Sequence, residues 1–310
     1  MLINKIDYKL IYIFLGIIIL AILGHYIKQK HQIRDNIENF ESIIVHDNYN
    51  KIYDKFYAGI YNELFNSIMK NEYEIQNIKT YSLDLYAKNN KEKIHILDAG
   101  CGIGNHLKIL DKKQYKCTGL DNSHNMLKEA KKINAGLDLI KGDFHNKLIF
   151  KKKTFSHILC LFFTIYYSDN PEKVFKNFNY WLKSKGYLVL HLVHPKKFDP
   201  VLEKASSLIP LFNPQKHSHK RVTQTELHFN KFKYNSDWLF NKENVTFTEN
   251  IKLKDNSKVI KNTHKFTIYK ISKYIKLLQK CGFKLTKIID LTVTNHEFNN
   301  LYIFKKIYGY

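Results

Sequence analysis

Arginine is nearly missing from this 310-residue chain: Arg34 and Arg221 are the only two among 50 lysines and arginines. The formal charge is nonetheless +22. Bidentate reading of bases and phosphates favours the planar guanidinium over the lysine ammonium. The charge therefore does not by itself indicate nucleic-acid binding. With the abundant Asn and Ile it reads as an AT-rich coding bias, and attraction to anionic lipid headgroups is its other physical consequence. Cysteine is scarce too. Cys101, Cys117, Cys160 and Cys281 contain no C-x-x-C pair and no metal-ligand spacing, which speaks against a disulfide framework and leaves no metal site to expect. The pattern fits a reducing compartment, with most of these thiols as small buried hydrophobes. Internal repeats and long low-complexity segments are also missing.

Long apolar runs are missing except for one, residues 10–27, "LIYIFLGIIILAILGHYI", which holds no Lys, Arg, Asp or Glu. At about 1.5 Å per residue such a helix approaches the roughly 30 Å of a bilayer core. It is apolar on every face, and no small-x-small cleavage site stands out around Ala21 to Gly24. The expectation is an uncleaved single-span membrane anchor over residues 1–30. Lys5 and Lys9 before the run and Lys28, Lys30 and Arg34 after it leave its orientation nearly undecided.

The most informative stretch is "ILDAGCGIGNH", residues 96–106. The run Lys93 to Leu97 alternates as a short strand does. It stops at Asp98, and Gly100, Gly102 and Gly104 follow at every second position. Glycine there supplies positive φ and lets backbone approach a ligand, and a helical pattern begins at His106. A tight turn without a ligand would use the same residues, so the loop needs support from its surroundings. That support comes from a second strand pattern, "YKCTGLD", ending in Asp121 about twenty residues on, where an acid can accept both ribose hydroxyls. A third, "LDLIKGDF", ends in Asp143 and Phe144. A fourth apolar strand is followed by a helix opened by Asn170 with Pro171 at its first position, and then by "GYLVLHLVHP". Strands alternating with helices predict a parallel α/β sheet.

This series resembles the class I S-adenosylmethionine-dependent methyltransferases, particularly the small-molecule and lipid type that includes the quinone methyltransferases. The resemblance runs from about residue 90 to 195 and resumes over residues 274–289. It implies a Rossmann-like seven-stranded sheet and S-adenosylmethionine as cofactor. Asp98, Gly100, Cys101, Gly102 and Gly104 match the first motif, around the methionine end. Asp121, with Asn122 and Met126 after it, matches the ribose acid. Asp143 and Phe144 match the adenine contacts, and Cys160 at the end of the fourth strand is a further expected cofactor contact. The family's Leu-Lys-Pro-Gly-Gly turn reads Leu182-Lys183-Ser184-Lys185-Gly186 here, with its first glycine replaced.

Outside the sheet, residues 31–90 are expected to form a linker and a helical lid. "YNKIYDKFYAGIYNELF" has aromatic and aliphatic residues at helical spacing, and the resemblance makes Tyr57 a cofactor contact. By the resemblance, residues 91–310 are expected to form the methyltransferase domain, interrupted at 196–264 by segments rich in β-branched and aromatic residues. These predict an antiparallel β insertion over the acceptor pocket. Methyl transfer from a sulfonium needs alignment and, for some acceptors, a base. His194 at the end of the fifth strand and Tyr166 and Tyr167 after the fourth are the candidates, each with an ordinary packing or turn role as the alternative.

The sequence does not decide the acceptor. The apolar run favours a small molecule or lipid near a bilayer. No [DN]-P-P-[YF] motif follows the fourth strand, which disfavours DNA amino-methylation. "CLFFTIYYSDN" loosely resembles cap guanine methyltransferases, so RNA or protein acceptors stay open, as does a non-catalytic cofactor-binding membrane protein. Since S-adenosylmethionine is a cytosolic metabolite, the domain is expected to face the cytosol.

Overall fold

The computed structural model describes residues 16, 18–24, 42–91, 93–206, 215, 219–255 and 258–308. In chain order they form β1 (Ile43–His46), α1 (Tyr49–Ile52), α2 (Lys55–Phe65), α3 (Ile68–Ile78), α4 (Asp84–Asn89), β2 (His95–Ala99), α5 (Asn105–Lys112), β3 (Lys116–Asp121), α6 (His124–Ile133), β4 (Asp138–Lys141) and β5 (Phe155–Cys160). Then come α7 (Pro171–Trp181), β6 (Leu182–Val193), β7 (Gln224–His228), β8 (Phe232–Asn241), β9 (Asn244–Leu253), β10 (Val259–Thr267), α8 (Ile271–Lys280), β11 (Phe283–Asp290) and β12 (Asn299–Lys306).

The expected seven-stranded sheet is present in the order β11-β12-β6-β5-β2-β3-β4. β2 to β6 pair in parallel, and β12 runs antiparallel to both its neighbours. Every residue of β5 is buried, as a strand covered on both faces requires. Alternate residues feed two cores. Leu97, Ile158 and Cys160 pack with Phe175, Phe178 and Trp181 of α7 and Tyr274 and Leu278 of α8. Ile96 and Leu159 pack with Ile75 and Ile78 of α3, Leu107 and Leu110 of α5 and Leu127 and Ala130 of α6. Each fully buried large side chain contributes about 1.5–3 kcal/mol. α7 starts as its sequence predicts: the Asn170 side chain accepts from Lys173 N–H at 3.1 Å, with Pro171 at the first position.

The second sheet, β1-β10-β9-β8-β7, is the predicted insertion with one addition. β7 to β10 form an antiparallel meander extending to Thr267, three residues past the expected boundary. β1 pairs in parallel with β10, Ile43 opposite Val259. Residues 43–46 fall in the stretch expected to be linker and helical lid, and they form a strand instead. They lie at the sheet edge, where a partner strand supplies the order that the local pattern does not announce. The expected helix from Tyr49 onward is broken, because the Asp54 side chain accepts from Tyr57 N–H at 2.8 Å and caps a new helix, α2. Ile52, Tyr57, Ile60 and Leu64 then pack on Phe232, Tyr234, Ile251 and Ile260 of the insertion.

Of the apolar segment at 10–27, residues 16 and 18–24 are described. They are helical, and Ile18, Ile19, Leu20, Ile22 and Leu23 are exposed. The rest of the predicted anchor lies outside the described residues, and among the described residues no helix is long and apolar enough to cross a membrane.

Candidate functional site

The carboxyl ends of β2 and β3 build the first half of the site. After Asp98 the chain turns through Gly100 (φ +79°), Gly102 (φ +55°) and Gly104 (φ +78°) into α5. The turn is tied to the next strand by Gly100 N–H and Cys101 N–H, which both donate to Leu120 O at 2.7 and 3.1 Å. A Cβ on Gly100 would stand 2.3 Å from Thr164 Cγ2, so only glycine fits. Gly102 meets nothing closer than Met126 at 3.4 Å, and what demands glycine there is its backbone angle. Gly104 caps α5 and lines neither cavity described below.

Gly102 N–H donates to Asp121 Oδ2 at 2.9 Å, while Ser123 N–H and the Tyr49 hydroxyl donate to Oδ1 at 2.8 and 3.2 Å. Burial raises the Asp121 carboxyl above its ordinary range, and these donors oppose the rise. Asp121, Asn122, Met126, Asp143 and Phe144 line one cavity of about 230 Å³ together with Tyr49. The Asp143 carboxylate is engaged by the His145 ring at 2.7 Å and by His145 N–H at 2.9 Å. Phe144 presents its ring to the same space.

A larger cavity of about 420 Å³ adjoins the first. The two share Tyr53, Tyr61, Gly100, Gly102, Thr164 and Tyr167. Asp98 and Cys101 line the larger cavity from the sheet side. Asp98 is buried, and its Oδ2 has no hydrogen-bond partner. Burial, with repulsion from Asp121 and Glu74, pushes its carboxyl up to about 6, against the pull of His106. A buried carboxylate oxygen left unpaired beside a cavity suits a cationic group of a ligand. Nearby, Glu74 lies between Lys70 and His106, each at 2.8 Å. Burial alone would raise this carboxyl, but the two partners hold it well below the usual carboxylate range.

The opposite wall is aromatic. Phe163, from the loop after β5, meets Trp238 and Phe266 at centroid distances of 5.4 and 5.6 Å, and Trp238 stacks on Phe247 at 4.4 Å. Phe162 in the same loop has φ +53°, a conformation uncommon for a bulky side chain.

The structure separates the catalytic candidates. Tyr167 lines both cavities. Tyr166 is buried among core residues, and its hydroxyl accepts from Val193 N–H at 2.7 Å. The intervening 3₁₀ turn at Thr164–Tyr167 rotates successive side chains apart, so one tyrosine braces the end of β6 while the next faces the cavity. His194 lines neither cavity; its ring lies 6.3 Å from Phe298, and its Nδ1 accepts from Lys196 N–H. Cys160 is fully buried in the sheet core, its thiol raised by burial. Tyr57 lines the larger cavity, but its hydroxyl donates to Glu249 at 3.0 Å.

Sequence reading missed Glu249 and His264. Their signal is the alternation itself. Val245, Phe247, Glu249 and Ile251 share the buried face of β9, and Ile260, Asn262, His264 and Phe266 that of β10. A carboxylate and an imidazole in such rows are anomalous.

A family model described as a methyltransferase domain matches residues 97–190. A crystal structure of an S-adenosylmethionine-dependent methyltransferase from Clostridium acetobutylicum is similar, with TM-score 0.60 and 22% identity, covering 82% of this chain and 98% of that one. CalS10, an amino pentose methyltransferase from Micromonospora echinaspora solved with its cofactor bound, gives TM-score 0.57 and 17% identity over 84% and 99% of the two chains. The sugar N-methyltransferase KedS8 from Streptoalloteichus gives 0.58 and 15% over 84% and 95%. No curated protein matches the chain in sequence.

Proposed function

We propose that this chain, whose residues 97–190 match a methyltransferase domain, is a membrane-anchored S-adenosylmethionine-dependent enzyme that methylates a small-molecule acceptor in the larger cavity. The observation that carries this reading is the pair of adjoining cavities. The smaller has the residues for a nucleoside: Asp121 for the ribose hydroxyls, and Phe144 beside Asp143 for the adenine. The backbone of Gly100 and Gly102 stands where the two spaces meet, and Asp98 lines the larger space beside it; together they take the methionine end, the unpaired Asp98 oxygen receiving its ammonium. When bound, the cofactor supplies an activated methyl group.

The larger cavity has the volume of a small-molecule site. Phe163, Trp238, Phe247 and Phe266 give it an apolar wall that excludes water, and Asp199, Glu203 and Glu297 add polar contacts. CalS10 and KedS8 act on an amino pentose and a sugar, which favours a polyfunctional small molecule over a macromolecule. The exposed apolar helical residues at 18–24 favour the membrane anchor, and the cytosolic origin of the cofactor favours a domain on that side.

The test is calorimetry with S-adenosylmethionine, followed by radiolabel transfer to amino sugars, hydroxylated sugars and quinols. Asp121→Asn should lose about ten- to a hundredfold in cofactor affinity. Asparagine is preferred to alanine because it keeps one acceptor for the Gly102 and Ser123 N–H groups. Unchanged affinity would remove the ribose assignment, and label appearing only in RNA or protein fractions would remove the small-molecule acceptor.

A further inference from the structure

The β insertion carries a polar chain that the cofactor site does not use. Glu249 on β9 is fully buried, and all its partners are donors. Tyr57 and Tyr234 donate to Oε1 at 3.0 and 2.7 Å. On Oε2, Asn262 donates at 3.4 Å and the His264 ring lies at 2.7 Å. The other His264 nitrogen, Nδ1, is 2.5 Å from the Tyr167 hydroxyl, which is 2.8 Å from that of Tyr53.

A Glu249 carboxylate beside a neutral His264 sets the direction of every proton. Glu249 only accepts, so His264 carries its hydrogen on Nε2 and presents a bare Nδ1. Tyr167 therefore donates to that nitrogen and accepts from Tyr53. Tyr167 has both roles filled. The Tyr53 hydroxyl donates to Tyr167, its oxygen keeps acceptor capacity, and the residue lines both cavities. Burial first, then neighbouring phenols and Glu249, raise the Tyr53 and Tyr167 hydroxyls well above their ordinary range, so both stay protonated and pass protons rather than store them. An apolar filling would build this sheet without the desolvation cost of a buried carboxylate and imidazole. The chain ends where the cofactor and acceptor spaces meet.

We propose that Tyr53, Tyr167, His264 and Glu249 form a proton relay that deprotonates the methyl acceptor, which is accordingly an alcohol or a protonated amine. This rests on the small-molecule reading above. The acceptor's oxygen or nitrogen forms its new bond to carbon with its own lone pair, and the pair of the broken C–S bond stays on sulfur. Its proton passes to Tyr53 Oη, that of Tyr53 to Tyr167 Oη, and that of Tyr167 to His264 Nδ1. The imidazolium is paired with Glu249 until it returns the proton to solvent through the same phenols after product leaves. Tyr53 is the group that touches the acceptor; Tyr167, His264 and Glu249 act through it.

Two readouts test this, one of them independent of turnover. Nitrogen chemical shifts of histidine-labelled full-length protein, with His264 assigned by its loss in His264→Gln, should show the hydrogen on Nε2. A hydrogen on Nδ1 overturns the relay outright, whether or not any probe is methylated. In transfer assays with the amino-sugar and hydroxylated-sugar probes, His264→Gln should lower kcat at pH 7 at least a hundredfold. Its calorimetric S-adenosylmethionine affinity should stay within threefold. Tyr53→Phe and Tyr167→Phe retain the rings and should show the same split, which covers a His264→Gln protein that does not fold. A kcat within threefold of wild type, or an equal loss of cofactor affinity, overturns the relay in favour of a structural network. Transfer by wild type to none of the small molecules instead overturns the small-molecule reading, and the tautomer then decides the relay.

Discussion

Asp98 concentrates the electrostatics of the site in a single carboxyl. Its folded-state value of about 6 lies about 2 units above the ordinary 3.8, burial being the main cause. For an acid raised on folding, the neutral form is the one the fold favours. The stabilisation is complete below the unfolded value and disappears as pH climbs through about 6. The ligand-free protein should therefore lose up to about 3 kcal/mol from this group between roughly pH 4 and pH 6. Denaturant titrations at pH 4.5 and 7 should show Asp98→Asn gaining on wild type at the higher pH only. S-adenosylmethionine affinity should behave oppositely, because an ammonium partner favours the carboxylate. Wild-type affinity should fall below about pH 6, and calorimetry on Asp98→Asn should find weaker binding without that fall. An identical pH profile in the two proteins would separate Asp98 from the ammonium.

Single elements also show where a local rule is broken. In the turn inside β6, Lys185 stands where the similar family has glycine, and it takes φ +61°. The backbone keeps the left-handed geometry because the next residue is clamped: a Cβ on Gly186 would lie 2.7 Å from Ser156 O. Holding a lysine there costs about 1–2 kcal/mol, and glycine would return part of that gain through its freer unfolded chain. Lys185→Gly should raise stability by about 0.5–1 kcal/mol, read as a higher melting temperature. A lower one would show that the lysine side chain compensates for its backbone. The β insertion invites a different expectation. Trp238 packs against Phe163, Phe198 and Phe247, so truncation to alanine would cost about 3–5 kcal/mol and confuse folding with function. Trp238→Phe keeps most of the apolar volume. It should weaken acceptor turnover while leaving calorimetric cofactor affinity unchanged, and equal loss of both would make the wall purely structural.

For the whole molecule, the chief expectation is attachment. With residues 10–27 acting as a span, full-length protein should stay with membranes in alkaline carbonate, and removal of residues 1–30 should release it. Extraction of the full-length protein by carbonate would make the segment peripheral, and protection of the catalytic domain from protease in sealed vesicles would reverse its proposed orientation. The two-sheet arrangement carries a second consequence. Because α1 and α2 pack on the insertion through Ile52 and Tyr57 and also line the smaller cavity through Tyr49, Tyr53 and Tyr61, a cofactor bound there should stiffen both sheets. Amide exchange should slow in β9 and β10, not only in the glycine loop.

The glycine turn and the carboxylates proposed to hold the cofactor were legible in the chain because their pattern is local. A strand that stops at Asp98, three glycines and an acid at the end of the next strand are fixed by backbone geometry within about thirty residues. The same holds for the seven strands, whose alternating or continuous apolar runs follow from burial on two faces. The acceptor half could not be read this way. His194, conspicuous at a strand end, lies beside Phe298, whereas Tyr167, which the sequence did single out, meets His264 and Glu249 only where the turn after β5 packs against β10 and β9. Tyr166 and Tyr167 are neighbours in sequence, yet the rotation of one 3₁₀ turn sends one into the core and the other to the cavity. The succession of strands and helices along the chain, the glycine loop and the apolar segment were properties of the sequence, since each rests on local pattern. The acceptor wall and its hydrogen-bonded chain were decided only by tertiary structure, because the partners are brought together by packing between segments that carry no local trace of one another.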